Sequence, residues 1–446
     1  MKEFYSVLAV VAAAAAMAAD PVVSGVEMTQ AADGPEVTIT YRLANGPAVV
    51  TFDVGTEEPD GWHSIGGERL RNTSAVSDVW REVSGKEVYT IIWRPDRSCF
   101  GNGLSGPVKA KVSAWKMDDL PDYMVVDLTD GSDKSSRRFY PSAEFLPGGL
   151  LGNFEYRQSK LVMRKIMAKD VEWRMGSVSE PGRNSKNEMA HTVRLGANYY
   201  IGVFPMTQMQ WLLVAGYNRS CFSLIGSQAM RPVEYVSFNE VRCAPTSASA
   251  DQTMAYVGGE WPDDPYAGSF LDKLRKRTGI DFDLPSEAQW EFACRAGYGD
   301  GFWGDGSPYS APTATTDRNI PGRYRYNGGY IPDGPDGTYT EAGGVYPKGA
   351  TTDERNASAL VGSYAPNAWG LYDMHGNMFE MCLDWYADDI TALNGAVNTT
   401  AGTERVRKGG GWHVQANNCR AALRLGFDPT TRTNSSLGFR VVCPVK

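Results

Sequence analysis

The sequence predicts an α+β protein with an N-terminal β-sandwich and a C-terminal irregular α/β domain of low secondary-structure content. Three observations support this fold class. Short runs of alternating apolar and polar residues recur up to residue 118, helix-start signals appear in the second half, and 48 Gly with 25 Pro residues favour loops over a helical bundle. With 446 residues the chain has room for two or three domains, which we place at 20–118 and 170–446 around a connector at 119–169.

The N-terminal region is predicted to consist of short β-strands. Val37–Leu43, Val88–Trp93 and Val108–Trp115 each alternate with a period of two and are bounded by Gly, Pro, Asn or Asp. Strands of this length and spacing are typical of a sandwich of the immunoglobulin or fibronectin III type, which often serves as a spacer or adhesion module. The connector adds two further strand-like runs, Met124–Leu128 and Leu161–Ile166.

Three short helices are predicted in the C-terminal region. Ser237–Glu240 and Ser286–Gln289 both match the capping box, in which the Ser hydroxyl and the Glu or Gln side chain each accept a hydrogen bond from a backbone amide. The helix after Ser286 would turn Trp290 and Ala293 towards the core. The third helix is predicted at Phe270–Arg277, which a glycine soon follows.

The first 19 residues predict export. The apolar run Val7–Ala16 ends in Ala16-Met17-Ala18, the small-x-small pattern of a signal-peptidase site, so residues 1–19 are predicted to be a cleaved signal peptide. A short membrane anchor is the alternative. No later segment is long and apolar enough to span a bilayer. The net charge of −8 gives no support to nucleic acid or an anionic membrane as partner. We therefore expect a periplasmic, secreted or cell-surface protein.

Seven sequence blocks after residue 170 resemble the formylglycine-generating enzyme, or sulfatase-modifying factor, family, and they occur in the family's order. The strongest is Asn367–Asn377, which reads NAWGLYDMHGN. The other six are Trp173–Ser177, Tyr200–Gln208, Pro232–Phe238, Leu284–Ala293, Lys408–Trp412 and Leu437–Arg440. The resemblance covers residues 170–446 and implies a compact α/β fold related to C-type lectins, with little regular secondary structure.

The resemblance also implies structural calcium. One site would use three backbone carbonyls and one carboxylate, those of His375, Gly376, Met378 and Glu380. A tight glycine-containing turn can direct several carbonyl oxygens at one ion, as calcium requires. The alternative is that Glu380 only caps the turn. A second site would use the side chains of Asn319 and Asp353 with the carbonyls of Ile320 and Arg355.

The residues that give the family its oxidase chemistry are missing. Family enzymes that oxidise a substrate cysteine bind Cu(I) through two cysteines spaced C-x-x-x-x-C, just after a G-G-S block. Here Gly411 replaces that serine, and the following stretch Trp412–Arg420 contains one cysteine, Cys419. We therefore expect no copper and assign no catalytic residue. The four His residues lack the spacing of a non-haem iron site. A copper-dependent oxidase that acts on a sulfatase cysteine remains the alternative.

A lectin-like groove is the expected ligand site. Its predicted lining combines aromatic, amide and cationic side chains: Trp412, His413, Gln415, Asn417, Asn418, Arg424, Phe427 and Asn434. This composition suits a peptide, a glycan or another surface protein, so a non-catalytic binding or scaffold role is predicted. Arg424 has an alternative role shared with Arg420 and Arg440, which is to brace loops through its fork of donors. A structural surface module with the β-domain as stalk is a further alternative.

Disulfides are the default expectation for the seven cysteines of an exported chain, and the odd count leaves at least one over. The resemblance places Cys294 at a family half-cystine whose partner lies close to Cys419. Cys382 competes for Cys419, and Cys243 and Cys443 lie near another family pair. The connectivity stays open, and buried thiols are the alternative.

Overall fold

The computed structural model describes residues 19–95, 107–129, 136–180, 182–222, 228–243, 264–298, 322–324, 330–332, 339–341, 357–432 and 436–445. This part of the chain is mostly β with few helices, which agrees with the predicted α+β class. The predicted signal peptide lies outside the described residues, apart from its last position. None of the helices described here combines the length and hydropathy that a bilayer crossing requires.

Residues 22–115 contain two antiparallel sheets. The first has the order β1-β2-β6, with β1 at Val22–Gln30, β2 at Val37–Ala44 and β6 at Tyr89–Trp93. In the second, β3 at Ala48–Glu58 pairs with β4 at Gly61–Ser64, β5 at Arg81–Val83 and β7 at Lys109–Trp115. The three predicted strands are confirmed. Buried residues of both sheets share one hydrophobic cluster, and the immunoglobulin or fibronectin assignment stays a prediction.

A five-stranded antiparallel sheet forms the centre of the molecule, in the order β20-β13-β10-β8-β9. Its strands are β8 (Tyr123–Asp127), β9 (Arg137–Tyr140), β10 (Lys160–Ile166), β13 (Tyr199–Gly202) and β20 (Val442–Pro444). The two strands predicted in 119–169 are thus real. β8 pairs with β9 and β10, and β10 also pairs with β13 of the C-terminal region. This segment supplies three of the five central strands, and the predicted domain boundaries stay a prediction.

The central sheet is buried on both faces, as the period-two alternation of its side chains shows. In β8, Met124 and Val126 pack into the cluster that includes the helices, whereas Tyr123 and Val125 pack into the cluster of the N-terminal sheets. Trp80 of the N-terminal region also packs against the central sheet, since its ring centroid lies 5.2 Å from that of Tyr140 in β9. The N-terminal region therefore shares a core with the rest of the chain.

A four-stranded sheet positions the predicted groove. Its order is β18-β17-β16-β19, with β16 at Phe379–Trp385, β17 at Arg405–Lys408, β18 at Leu425–Phe427 and β19 at Leu437–Gly438. Two hairpins complete the strands: β11 (Glu172–Met175) with β12 (His191–Arg194), and β14 (Tyr330–Pro332) with β15 (Tyr339–Glu341).

The three predicted helices are confirmed as α2 (Phe238–Arg242), α3 (Phe270–Thr278) and α4 (Glu287–Arg295). Both predicted capping boxes are formed, and Trp290 and Ala293 are fully buried. A further helix, α1 at Gln208–Ala215, was not predicted from the sequence. Its signals are a third capping box, between Thr207 and Gln210, and a left-handed Gly216 that ends the helix at φ 85°.

Candidate functional site

The loop that carries most of the predicted groove joins β17 to β18. It begins with Gly409 and Gly410 at φ 89° and 77°, a region that favours glycine. A Cβ atom on Gly410 would lie 2.5 Å from Cys419 Sγ, so the loop folds back tightly on itself. The Trp412 amide donates to the Asn377 carbonyl at 2.9 Å, which attaches the loop to the neighbouring turn.

Five predicted groove residues lie together on this loop. Gln415 is exposed, His413, Asn417 and Asn418 are half-buried, and Trp412 is buried. Trp412 makes edge contacts with His413 and with Phe222, whose centroids lie 5.4 and 5.6 Å away. The same loop thus carries three side-chain amides, of which that of Gln415 is exposed, and a tryptophan with two ring contacts. Asn434 lies outside the described residues, so its place in the groove stays a prediction.

Arg424 does not line the groove. Its side chain is 2% exposed, and its Nε and Nη2 donate to the two carboxylate oxygens of Glu287 at 2.7 and 2.9 Å. It also donates to the Ala387 carbonyl. Phe427 is likewise buried in the main hydrophobic cluster. The groove assignment of both residues is wrong, because their side chains turn inward from the loop, and Arg424 has the bracing role that was the alternative.

Arg420 and Arg440 brace the domain in the same way. Arg420 Nη1 donates to Glu180 at 2.8 Å and to Glu188 at 2.6 Å. Arg440 forms a fork with Glu380 at 2.6 and 2.7 Å, and both side chains are fully buried. Removing one member of such a buried pair costs about 3–5 kcal/mol, because the other charge stays buried without a partner.

The first expected calcium site is arranged differently from the expectation. Both Glu380 oxygens accept from Arg440, and one also accepts from Trp290 Nε1 at 2.7 Å. The Gly376 carbonyl accepts from the Met378 amide at 2.8 Å, and the His375 carbonyl lies close against Gly322. These groups do not fit a calcium ion in this arrangement. Asn319 and Asp353 lie outside the described residues, so the second site stays a prediction.

Across the described residues, no group of three or more His, Cys, Asp or Glu side chains is placed to hold a metal ion. The six described cysteines are thiols in this structure: Cys221, Cys243, Cys294, Cys382, Cys419 and Cys443. Cys294 Sγ lies 3.5 Å from His375 Nε2, and His375 Nδ1 donates to the Cys419 carbonyl at 2.8 Å. Cys294 and Cys419 therefore approach the same imidazole, and the disulfide pairings stay predictions.

The Cys419 thiol has the properties of an inert group. Burial raises its pKa to about 12, and burial also raises the pKa of Cys294 well above its usual range. Since thiolates rather than thiols bind copper and act as nucleophiles, neither sulfur is activated in this arrangement.

Asp384 is a buried carboxyl group next to Glu287, the partner of Arg424. Its two oxygens accept from the backbone amides of Glu287 and Asn398 at 2.6 and 2.8 Å. Burial, together with the nearby Glu287 carboxylate, raises the Asp384 pKa to about 6. The folded protein therefore holds this proton more tightly than the unfolded chain does.

We expect Asp384 to give the protein a measurable pH dependence of stability. Its stabilising contribution is complete below pH 4, and about 2–3 kcal/mol is lost as the pH rises through 6. Asp384→Asn removes this titration at the cost of one backbone hydrogen bond. Urea unfolding at several pH values should therefore show a flatter profile between pH 4 and 7 for the variant. Parallel profiles for the two proteins would contradict the prediction.

The sequence did not point to the segment whose Phe222 packs against Trp412. Phe222 contacts Trp412, and its amide donates to Glu234 Oε1 at 3.0 Å. Glu234 is fully buried, and burial raises its pKa to about 6. Ser220 exchanges hydrogen bonds with the Glu234 backbone at 3.2 and 3.3 Å. The end of segment 217–222 is thus fixed beside Trp412. The sequence feature that could have identified this segment is a run with aromatic residues and an arginine directly after α1.

Comparison with known proteins agrees with this organisation. The sequence profile of the sulfatase-modifying factor enzyme 1-like domain matches residues 152–445. The match starts before 170 and includes β10, as the central sheet requires. The chain is 28% identical to the chaperone protein LppX of Paenibacillus barcinonensis, over 55% of this chain and 80% of that protein.

The chain is also similar to formylglycine-generating enzymes and to two solved structures. It is 32% identical to the formylglycine-generating enzyme of Thermomonospora curvata over 39% of this chain, and it spans about half (52%) of that enzyme. Treponema denticola variable protein 1 aligns with a TM-score of 0.45 and 24% identity, over 64% of this chain and 95% of that one. PvdO from Pseudomonas aeruginosa aligns with a TM-score of 0.43 and 20% identity, over 64% and 94%.

The family profile covers well over half of the chain, and formylglycine-generating enzymes are among its relatives. The chain therefore belongs to the formylglycine-generating enzyme-like family of sulfatase-modifying factor domains.

Proposed function

We propose that this protein is an exported, non-catalytic binding protein that holds a polypeptide segment in the groove between Gly409–Asn418 and Phe222. The observation that carries the proposal is that the exposed Gln415 and the half-buried Asn417 and Asn418 lie on the same loop as Trp412, whose ring contacts Phe222. Side-chain amides can pair with the peptide groups of an extended ligand, and aromatic rings can pack against its apolar residues. The signal-peptide pattern at 1–19 supports export.

A polypeptide is favoured over a glycan as ligand. The relative LppX is named a chaperone protein, and the alignment covers 80% of its length. A chaperone acts on polypeptides, so a groove that accepts extended chain would serve such a role. Glycan binding is one of the outcomes that the experiments below distinguish.

The oxidase alternative has less support. It requires two thiolates for copper, whereas Trp412–Arg420 supplies one cysteine, and burial raises the pKa of its thiol. The buried ion pairs of Arg420 and Arg424 that hold this loop also suit a binding role, because a rigid groove loses little conformational entropy when a ligand binds.

The binding proposal is tested by selection from a random dodecapeptide display library on the full chain. We expect linear peptides to be enriched. Gln415→Ala should bind synthetic copies of them about tenfold more weakly, because it removes the side-chain amide that would pair with the peptide groups of the ligand. Gln30→Ala, the same substitution at an exposed residue of β1, is the matched control. Lack of enrichment, or equal binding by both variants, would overturn the proposal.

The oxidase alternative is tested with copper and a Cys-x-Pro-x-Arg peptide. We expect no oxygen uptake by the wild-type protein after copper addition, and the same result for Cys419→Ser. Mass spectrometry of the peptide should show an unmodified cysteine. Turnover that disappears in Cys419→Ser would instead establish the oxidase and remove the non-catalytic proposal.

A further inference from the structure

A cluster of aromatic and arginine side chains lies on the Phe222 side of the proposed groove. It consists of Tyr217, Arg219, Tyr235, Glu240 and Arg432, and we call it the arginine rim. Tyr217 and Arg219 belong to the segment that ends at Phe222, and Tyr235 follows Glu234, which binds the Phe222 amide. The arginine rim is therefore joined to Phe222, which contacts Trp412, both along the chain and through the hydrogen bond to Glu234.

Two guanidinium groups share one carboxylate in the arginine rim. Arg432 donates from Nη2 and Nε to Glu240 at 2.7 and 3.0 Å, and Arg219 Nη1 lies 3.6 Å from the same carboxylate. The side chains of Arg219 and Arg432 are 51% and 37% exposed, whereas Glu240 is 10% exposed. The positive groups outnumber the carboxylate and reach solvent, although the whole chain has a net charge of −8.

The acceptor capacity of Glu240 is already used within the domain. One of its oxygens also accepts from the Ser237 amide at 3.0 Å, which completes the capping box of α2. Each arginine has five N–H donors in a planar fork that matches a carboxylate. Among the described residues, Arg219 and Arg432 have no other hydrogen-bond partner, so their remaining donors can bind a second carboxylate at the surface.

Tyr235 is held in an unusual backbone conformation within this cluster. Its φ is 60°, a left-handed value that is a genuine outlier for a bulky residue, yet its side chain is 38% exposed. Such strain costs of order 1–3 kcal/mol and concentrates at binding sites. Tyr217 stacks under Arg219, with the guanidinium carbon 4.8 Å from the ring centroid, and so orients that arginine.

We propose that the arginine rim binds an acidic side chain of the polypeptide that occupies the groove. This inference rests on the proposed function and deepens it, because it makes acidic segments the preferred ligands. The arginines supply a charge-assisted fork for a carboxylate, and Tyr235 supplies an adjacent aromatic surface. The apolar and amide contacts at Trp412 and Gln415 then act on the neighbouring residues of the same segment.

The test uses the dodecapeptides selected on the full chain. We expect them to be enriched in Asp and Glu. A fluorescein-labelled selected peptide should bind about tenfold more tightly than its twin with Asn and Gln in place of Asp and Glu. Arg219→Gln and Arg432→Gln should each remove most of this difference and weaken the salt dependence of binding. Arg194→Gln, at a 52% exposed arginine paired with Glu172, is the matched control.

The outcomes separate this inference from the proposed function. Selected peptides without acidic enrichment, bound equally by wild type and both arginine variants, would overturn the arginine rim and leave the groove intact. Lack of any enriched peptide would overturn both. Tight binding of an oligogalacturonate, with no peptide enriched, would show that the ligand is an acidic glycan. That result would overturn the proposal of a polypeptide ligand. Thermal unfolding of each variant confirms that the fold is retained.

Discussion

Arg440→Met is expected to lower the free energy of unfolding by about 3–5 kcal/mol, because it leaves the Glu380 carboxylate buried with Trp290 as its one remaining donor among the described residues. The change also removes donors from the Gly202 and Tyr372 carbonyls, which Arg440 reaches at 2.9 Å each. Urea unfolding measures the loss. Arg194→Met, at an exposed arginine, is the matched control and should change stability by less than about 1 kcal/mol.

A double-mutant cycle identifies the cause of this loss. Glu380→Gln in the Arg440→Met background should recover part of the stability, since it removes the uncompensated charge. If calcium rather than Arg440 neutralised Glu380, the Arg440→Met variant would stay near wild-type stability in calcium and fall only with a chelator. That result would restore the expected ion at His375–Glu380.

Local signals in the sequence were sufficient for the elements that local interactions define. The capping boxes at Ser237 and Ser286 satisfy backbone amides within one turn, so their helices could be read directly from spacing. Period-two alternation likewise located β2, β6 and β7. The same reasoning could have located α1, because Thr207 and Gln210 carry an identical signal.

Residue type and position could not determine which way a loop side chain turns. Arg424 lies in the groove loop by sequence, but its partner Glu287 is 137 residues away. Arg420 finds its carboxylates at Glu180 and Glu188, more than 230 residues away. Such pairs become visible only when the central and four-stranded sheets bring distant segments together.

These distant pairs explain how a loop-rich region can keep a defined shape. Residues 409–424 contain a single 3-10 turn, at Ala416–Cys419, so backbone hydrogen bonds alone do not fix their shape. Arg420 and Arg424 attach the end of this loop to segment 180–188 and to α4. Gln415 and Asn418 take no part in these buried pairs, so we expect substitutions at these two positions to retain the fold.

Trp80→Ala is expected to destabilise the whole chain by about 3–5 kcal/mol, the usual cost of deleting a buried large aromatic side chain. The Trp80 ring lies 5.3 Å from Phe52 in the N-terminal sheets, and 5.2 Å from Tyr140 and 6.0 Å from Phe145 on the other side. Its carbonyl also accepts from the Phe139 amide at 2.8 Å.

Because this contact joins the two regions, hydrogen exchange should show lost protection in β8 and β10 as well as in β3. Trp62→Ala, at a half-buried tryptophan of β4, is the control and should affect the N-terminal sheets alone. Lost protection confined to β3 in Trp80→Ala would show that the N-terminal region unfolds by itself. A shared response would instead establish that the β-region is an integral support of the family domain, since its core and one face of the central sheet are the same cluster.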